Sequence, residues 1–277
     1  MTDEARKTTR NAYMSGPPDA YEMPRYDFGG KVAWITGASQ GVGRHAAIAL
    51  ARCGATVACV ARSDFGQEAA VKASIDRTVE EHGALHFGIN NAGHSGYNAF
   101  IEDQTEERFD NVLDVNVKGA FFCMKHQVKA MRRNAPKPAR AEDARADPEV
   151  GEVTERAGYG RIVNVGSAAA FIGVPNVGLY VASKHALLGL TKNVALETAA
   201  DSDIRCNMLV PGSIKTQNYE FFTEGRLEGK KALVDLHATR QILEPEDCVA
   251  AIAFLCSDGA FFGVGQPLVI DGGILAQ

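Results

Sequence analysis

Thr36-Gly37-Ala38-Ser39-Gln40-Gly41-Val42-Gly43 separates a short apolar run, Val32–Ile35, from a segment of helical character over 41–53. A nearly continuous apolar run of this length is typical of a parallel strand that is buried on both faces. At the N-terminus of the following helix, unpaired N–H groups and the helix dipole favour negative charge. The stretch therefore predicts a strand, a glycine turn and a helix that together bind the diphosphate of a dinucleotide.

The three glycines of the turn have separate tasks in this interpretation. Gly37 permits the tight turn, Gly41 lets backbone N–H groups come close to a diphosphate, and Gly43 lets the helix pack closely on the strand. A turn with a purely structural role could contain the same glycines. The strand that precedes it favours dinucleotide binding over that alternative.

The rest of the chain alternates between strand-like and helix-like segments, which predicts an α/β fold with a Rossmann-like, doubly wound parallel sheet in a single domain over 30–277. The predicted strands are 32–35, 55–61, 85–89, 161–165, 204–210 and 268–270, and the predicted helices are 41–53, 66–82, 105–133 and 179–199. Residues 1–29 are expected to form a flexible arm, or to place Tyr13, Tyr21 and Tyr26 against a neighbouring subunit. The polar, Pro-containing stretch 134–158 is expected to be an inserted, solvated loop.

Composition excludes several classes of protein. Hydrophobic residues make up 45% of the 277 residues, which is enough apolar side chain for a sizeable core. A net charge of −5 argues against a nucleic-acid partner, and no apolar run is long enough to predict a membrane span. The six scattered cysteines predict neither a metal site nor a disulfide scaffold, and fit a protein of the reducing cytoplasm.

A second motif, Tyr180-Val181-Ala182-Ser183-Lys184, places a phenol and an ammonium four residues apart on one face of a helix. A free phenol has a pKa of about 10 and is a poor acid–base catalyst at neutral pH. A neighbouring cation favours the phenolate, so Lys184 and an oxidised nicotinamide would bring Tyr180 into a useful range. The motif is short, and a plain pair on a helix surface is the alternative.

The spacing T-G-x-x-x-G-x-G in 36–43 resembles that of the short-chain dehydrogenase/reductase family. The resemblance runs from Lys31 to Gly273 and covers five motifs in the family's order. The other four are Asn90-Asn91-Ala92-Gly93, the segment Asp114–Gly119 around Asn116, Ser167 thirteen residues before Tyr180, and Pro211-Gly212-Ser213-Ile214-Lys215-Thr216.

The resemblance implies a role for each matched residue. Ser167 would polarise the substrate oxygen, and Tyr180 would exchange the proton. Lys184 would lower the pKa of Tyr180, and Asn116 would hold a water that links Lys184 to solvent. The residues expected to bind the cofactor are Gly37, Ser39, Gln40, Gly41, Val42, Gly43, Arg62, Asp64, Asn91, Tyr180, Lys184, Ile214 and Thr216. No metal ligand is implied.

The end of the second strand bears on the choice of cofactor. Ala61 stands where the family has an acidic residue for NAD, and Arg62 follows it, so the sequence predicts NADP(H) in preference to NAD(H). The basic residue that many NADP-dependent relatives carry before the middle glycine is Gln40 here. The segment between Ile35 and Asn90 is also too short for the family's usual content, which predicts the loss of one edge βα unit from a seven-stranded sheet.

These features predict an oxidoreductase that interconverts a carbonyl and a secondary alcohol by hydride transfer. Residues up to about Arg240 would form a substrate lid with Tyr219, Phe221, Phe222 and Leu227 as its apolar lining. A redox-inactive binding subunit, or an isomerase or dehydratase, remains as an alternative on the same fold. The resemblance further implies a homodimer or homotetramer assembled through 105–133 and 179–199.

Overall fold

A six-stranded parallel sheet forms the centre of the molecule, with the strand order β2-β1-β3-β4-β5-β6. The computed structural model describes residues 26–60, 65–135, 158–200, 202–223 and 226–277. The strands are β1 (Val32–Thr36), β2 (Thr56–Val60), β3 (Phe87–Asn90), β4 (Tyr159–Val165), β5 (Asp203–Pro211) and β6 (Pro267–Ile270). The predicted α/β fold with a doubly wound parallel sheet is confirmed.

Helices cover both faces of this sheet. They are α1 (Gly41–Arg52), α2 (Glu68–His82), α3 (Glu106–Leu113), α4 (Ala120–Met131), α5 (Gly178–Ala199), α6 (Gln217–Thr223), α7 (Leu227–Leu236) and α8 (Asp247–Cys256). Buried residues of α1 and α8 share one apolar cluster, and those of α2, α4 and α5 share the other. The two clusters are the two sides of a three-layer sandwich.

Neighbouring residues of a strand alternate between these two layers. Ala33 and Ile35 of β1 belong to the α1 and α8 layer, whereas Trp34 between them belongs to the opposite layer. All five residues of β1 and all seven of β4 are buried. This explains why the central strands have continuous apolar runs rather than an alternating pattern.

The β2 side of the sheet is the shortened side. Within the described ranges the sheet has six strands, and β2 pairs with β1 alone. The predicted loss of one edge unit from a seven-stranded sheet is thus confirmed. Two of the five residues of β2 are exposed, as expected for an edge strand.

The helix predicted over 105–133 is wrong in its middle. Residues Asp114–Gly119 form a wider π turn between α3 and α4. Helix α8 had no sequence prediction, because Val249–Leu255 is apolar on every side and lacks the periodicity of an amphipathic helix. The other predicted elements are present with ends shifted by a few residues.

Two further observations concern the edges of the fold. Phe28, which falls in the predicted arm, is buried against Phe87 of β3, and Tyr26 stacks on Phe28 within its own chain. The earlier arm residues, with Tyr13 and Tyr21, and most of the predicted insertion 134–158 lie outside the described residues. No helix in the described ranges is long and apolar enough to cross a membrane.

Candidate active site

A cleft of about 480 Å³ opens at the carboxyl ends of β1, β3, β4 and β5. The sheet reverses its direction of winding between β1 and β3, and the loops that follow these two strands separate there. Such a switch point is where open α/β sheets bind their ligands. The glycine turn lines one wall, and Ser167, Tyr180 and Lys184 line another.

The glycine turn has the backbone shape that its sequence predicts. Gly37 and Gly41 have φ angles of 64° and 53°, in the left-handed region that side chains with a Cβ rarely adopt. Gly43 lies behind the turn, where an added Cβ would come within 2.4 Å of the Gly37 carbonyl oxygen. Gly43 therefore allows the helix to pack closely against the turn, and it does not line the cleft.

The N-terminus of α1 suits an anionic group. Gln40, at the N-cap, makes no side-chain hydrogen bond to the first turn, and that turn carries no acidic residue. Ser39, Gln40, Gly41 and Val42 all line the cleft at this point. Uncapped N–H groups at the positive end of the helix dipole fit the diphosphate of a dinucleotide.

The Asn91 side chain stabilises the glycine turn through hydrogen bonds, in addition to lining the cleft. Its side-chain amide donates to the carbonyl oxygens of Thr36 at 3.0 Å and Gly37 at 3.2 Å. The Thr36 hydroxyl in turn accepts hydrogen bonds from the backbone N–H groups of Asn91 and Ala92, both at 2.9 Å. Asn91 lines the cleft as well, so its position remains compatible with a cofactor contact.

The structure brings Ser167, Tyr180 and Lys184 together at the end of β4. Ser167 caps the short helical turn Ala168–Ala170 by accepting from the Ala169 N–H at 3.2 Å, and its side chain is near enough to Tyr180 to lower the pKa of the phenol. The Lys184 ammonium lies 5.4 Å from the centre of the Tyr180 ring and donates to the Val165 carbonyl oxygen at 2.9 Å. One turn of α5 thus presents a phenol and an ammonium to the same wall of the cleft.

Burial changes the acidity of both groups in opposite senses. It raises the pKa of Tyr180 above its usual value, and the neighbouring Ser167 hydroxyl works against this rise. Burial lowers the pKa of Lys184 to about 8. At neutral pH the chain without a cofactor therefore holds a protonated phenol beside a lysine that is still mostly charged.

Asn116 lies in the π turn and anchors the neighbouring loop. Its side-chain oxygen accepts from the His94 N–H at 2.7 Å, and its amide donates to the His94 carbonyl oxygen and the Ser183 hydroxyl, both at 2.9 Å. The Ser183 hydroxyl donates to the Tyr180 carbonyl oxygen at 2.7 Å. Asn116 is buried, lies outside the cleft wall, and connects to the tyrosine helix through Ser183.

The segment after β5 covers the cleft from the other side. Ile214 and Thr216 line the cleft, and Gln40 of the glycine turn donates to Gln217 at 2.9 Å. Phe222 packs edge-on against Tyr180 with ring centres 5.8 Å apart. The predicted apolar lining is wrong for Leu227, which is 80% exposed because it begins α7 on the outer surface.

Several cleft residues had no sequence prediction. The loop before α5 and the helix α7 add an apolar wall, and Asn176 places a side-chain oxygen without a hydrogen-bond partner beside it. These unpredicted lining residues are Ile172, Val174, Asn176, Val177, Leu233, Leu236 and Ile274. None belongs to a recognisable motif, and the apolar residues that follow β4 were the signal available in the sequence. Arg62 and Asp64 lie outside the described residues, and the Phe221 side chain is not described.

Comparison with known proteins gives consistent matches along the chain. A family model described as enoyl-(acyl carrier protein) reductase matches residues 59–137 and 148–275. Cyclohexanol dehydrogenase from Acinetobacter sp. (strain SE19) is 34% identical over 271 residues, which cover 88% of this chain and 95% of that protein. The 2,5-dichloro-2,5-cyclohexadiene-1,4-diol dehydrogenase of Sphingobium indicum is 32% identical over 270 residues, covering 90% of this chain and 99% of that protein.

Solved structures agree with these relatives. A putative NAD(P)-dependent gluconate 5-dehydrogenase from Beutenbergia cavernae, with NADP bound at low occupancy, superposes with a TM-score of 0.76 at 27% identity. The match covers 91% of this chain and all of that one. The chain belongs to the short-chain dehydrogenase/reductase family and is an oxidoreductase that acts on CH–OH groups with a nicotinamide cofactor.

Proposed function

We propose that this protein interconverts a cyclic secondary alcohol and its ketone with NADP(H), and that Tyr180 is the general acid and base. The observation that carries the proposal is that Ser167, Tyr180 and Lys184 line one cleft, with the Lys184 ammonium 5.4 Å from the centre of the phenol ring. Both hydroxyls belong to residues of the same cleft wall, where they could share one substrate oxygen.

The proton chemistry of Tyr180 depends on direction. A neutral phenol, which burial favours here, is the form that donates a proton to a carbonyl oxygen during reduction. Oxidation of an alcohol needs the phenolate, and the charged form of Lys184 stabilises it. Ser167 donates a hydrogen bond to the oxygen on which charge develops, in either direction.

Lys184 and Asn116 would assist this proton transfer without contacting the substrate. The Lys184 ammonium uses one of its three donors on the Val165 carbonyl oxygen and lies near Gly93, a residue of the cleft wall. The Asn116 side chain is occupied by His94 and Ser183, so a relay water there would bind the second lone pair of its oxygen or a backbone carbonyl. We infer that Asn116 acts mainly by positioning α5.

The glycine turn and the segment after β5 would hold the cofactor at its two ends. Ser39–Val42 would receive the diphosphate, and Ile214 and Thr216 would contact the carboxamide of the nicotinamide ring. Bound there, the nicotinamide supplies or accepts the hydride. The preference for the 2′-phosphate is argued from the sequence alone. Ala61 stands where an acidic residue would select NAD, and the Arg62 that follows it can bind the 2′-phosphate.

The substrate class follows from the rest of the cleft lining and from the relatives. An apolar wall lines the same cleft as Tyr180, and Phe222 of that wall packs on the Tyr180 ring. The residues of this wall are Ile172, Val174, Phe222, Leu233 and Leu236. Such a wall suits a hydrocarbon ring that carries one reacting oxygen. Two of the relatives described above are named for alcohols on six-membered rings.

Replacing Tyr180 by Phe tests the proposal. We expect kcat for cyclohexanol oxidation and for ketone reduction to fall by about 100-fold or more, since a positioned acid–base group contributes at least that much. NADPH binding, measured by its fluorescence, should remain close to wild type. Tyr97→Phe is the matched control, because Tyr97 lies outside the cleft wall and its hydroxyl contacts Asn111.

The same assays can overturn the proposal. A Tyr180→Phe variant with wild-type turnover would show that another group moves the proton. Wild-type protein that binds neither NADPH nor NADH would point to a redox-inactive subunit instead.

For the cofactor choice, Arg62→Gln should raise KM for NADP⁺ by about tenfold or more while leaving KM for NAD⁺ unchanged, since a charge-assisted hydrogen bond is worth about 1.5–3 kcal/mol. Equal effects on the two cofactors would refute the predicted preference.

A further inference from the structure

His237 lies buried between the lid helix α7 and the segment Pro211–Thr216. The residue follows the last turn of α7 and is 1% exposed. Its Nδ1 atom lies 2.7 Å from the Leu233 carbonyl oxygen, and its Nε2 atom lies 3.0 Å from the Ser213 backbone nitrogen. One imidazole ring thus connects a helix of the lid to a backbone amide of the neighbouring segment.

The two partners allow only one form of the ring. The Ser213 N–H can only donate, so Nε2 must be the unprotonated nitrogen that accepts. The Leu233 carbonyl can only accept, so Nδ1 must carry the hydrogen. His237 is therefore held as the neutral Nδ1–H tautomer. A doubly protonated ring would direct an N–H group against the Ser213 N–H.

The surrounding backbone is built to admit the ring at close range. A Cβ added at Gly212 would lie 2.7 Å from His237 Nε2, so a residue with a side chain at that position would displace the imidazole. The other side of the segment is fixed by the backbone of Leu243, which donates to the Ser213 carbonyl oxygen at 3.0 Å and accepts from the Lys215 N–H at 2.9 Å. Residues 213–215 are thus held from two directions.

Both ends of the His237 contact reach the cleft. Leu233 and Leu236 of α7 line its apolar wall, and Ser213 and Ile214 line the part next to the glycine turn. A shift of α7 would therefore move the Ser213 amide and, through it, Ile214.

We propose that His237 is a positioning residue that couples the seating of the lid helix to the orientation of residues 213–216. This inference rests on the proposed function in one respect, namely that Ile214 and Thr216 contact the nicotinamide carboxamide. His237 itself lies outside the cleft wall and acts through Ser213.

Two variants separate the hydrogen bond from the packing. His237→Leu keeps an apolar side chain but removes the acceptor, whereas His237→Gln can place an amide oxygen near the position of Nε2. His185→Leu is the matched control. His185 is exposed on α5, and its Nδ1 contacts the carbonyl oxygen four residues earlier, as that of His237 does.

The first readout is amide hydrogen exchange in the protein without cofactor. His237→Leu should speed exchange at residues 213–216 and at the C-terminal turn of α7 by about tenfold or more, consistent with the loss of one hydrogen bond in a buried site. The central strands should exchange as in wild type. His237→Gln should recover much of the protection, and His185→Leu should change none of it.

The second readout is kinetic. Misorientation of the nicotinamide should lower kcat about tenfold or more in His237→Leu while KM for NADP⁺ changes little, because the diphosphate and adenine ends are bound elsewhere. His237→Gln should restore kcat in part. A general loss of fold would instead lower protection everywhere and would not be rescued by Gln.

Nitrogen chemical shifts of His237 in the wild-type protein provide a test that needs no variant. They should report a protonated Nδ1 and an unprotonated Nε2. The opposite tautomer, unchanged exchange at 213–216 in His237→Leu, or a Gln variant no better than Leu would each refute the coupling. If wild-type protein transfers no hydride, the proposed function fails, and the exchange and tautomer results still decide whether His237 links α7 to Ser213.

Discussion

Lys184 carries an ammonium group at a site that excludes most water. Its side chain is 5% exposed, and burial lowers its pKa from 10.5 to about 8. A native pKa below the unfolded value means that the unfolded chain holds the proton over a pH range in which the native chain has lost it. The native state is therefore penalised most below pH 8, where the buried lysine is charged.

This penalty predicts a pH-dependent stability for the protein without cofactor. As pH rises from 7 to 9.5, the free energy of unfolding of wild type should gain about 2 kcal/mol relative to Lys184→Met, because the native lysine loses its charge and the methionine has none to lose. Urea unfolding of both proteins at the two pH values measures this difference. Lys192→Met, which removes an exposed lysine of the same helix, should track wild type at both. Parallel pH profiles for wild type and Lys184→Met would contradict the shifted pKa.

Single residues with a chemical motif could be predicted from the sequence, and residues defined by their neighbours could not. Tyr180 and Lys184 lie together at the cleft because residues four apart on a helix are on the same face, whatever the rest of the fold. The partners of Asn116 come from His94 and Ser183, which are distant in sequence and approach only when α5 packs against the π turn. Asn176, with a φ angle of 67°, likewise has no local signal that places it beside the cleft.

The turn between β1 and α1 is the element whose geometry the sequence specifies most tightly. An added Cβ at residue 43 would lie 2.4 Å from the Gly37 carbonyl oxygen and 2.5 Å from the Asn91 amide nitrogen. Both neighbours are held by hydrogen bonds, so neither can move without opening the turn. This position links helix packing to the shape of the diphosphate site.

Gly43→Ala should therefore weaken both stability and cofactor binding. We expect the free energy of unfolding to fall by about 1–3 kcal/mol, the usual effect of overpacking, and NADPH affinity to fall by tenfold or more. Gly173→Ala adds the same methyl group at an exposed position, where no atom lies within 4 Å, and should alter neither quantity. Fluorescence titration and urea unfolding measure the two effects. Wild-type NADPH affinity in Gly43→Ala would refute the role given to the turn.

A buried polar network at the centre of the sheet shows what hydrophobic patterning cannot predict. Asn90 at the end of β3 donates to Asn164 of β4 at 2.8 Å and exchanges two hydrogen bonds with Gln127 of α4. Asn164 continues the network to Thr191 of α5 at 2.8 Å. Asn90 belongs to a motif of the sequence, but Gln127, Asn164 and Thr191 appear there only as polar residues among apolar ones. Their hydrogen bonds to one another depend on the register of two strands and two helices.

The whole molecule has a sheet that is shortened at one edge and an apolar hollow on one of its helix-covered faces. Strand β2 forms the shortened edge of the sheet, and α2, α4 and α5 pack together on one of its faces. On that face a shallow hollow has four apolar lining residues and one ion pair, and Phe121 is 44% exposed. The lining residues are Leu113, Asp114, Val117, Lys118, Phe121 and Leu190. The sequence predicted this location for a subunit contact by family resemblance, but not its shape, because the π turn sets the spacing of the lining residues.

We expect this face to hold two copies of the chain together. Wild-type protein should sediment at no less than twice the chain mass of 29.6 kDa, because stable homodimers cover apolar surface of this kind over about 1,200 Å² or more. Phe121→Arg replaces an apolar ring of the hollow with a long charged side chain, whose burial against a second copy is unfavourable, and should shift the protein towards the monomer. Leu227→Arg changes an equally apolar side chain that is 80% exposed on α7, and should leave the mass unchanged. If Phe121→Arg sediments like wild type while Leu227→Arg dissociates, the contact lies on the lid side of the molecule instead.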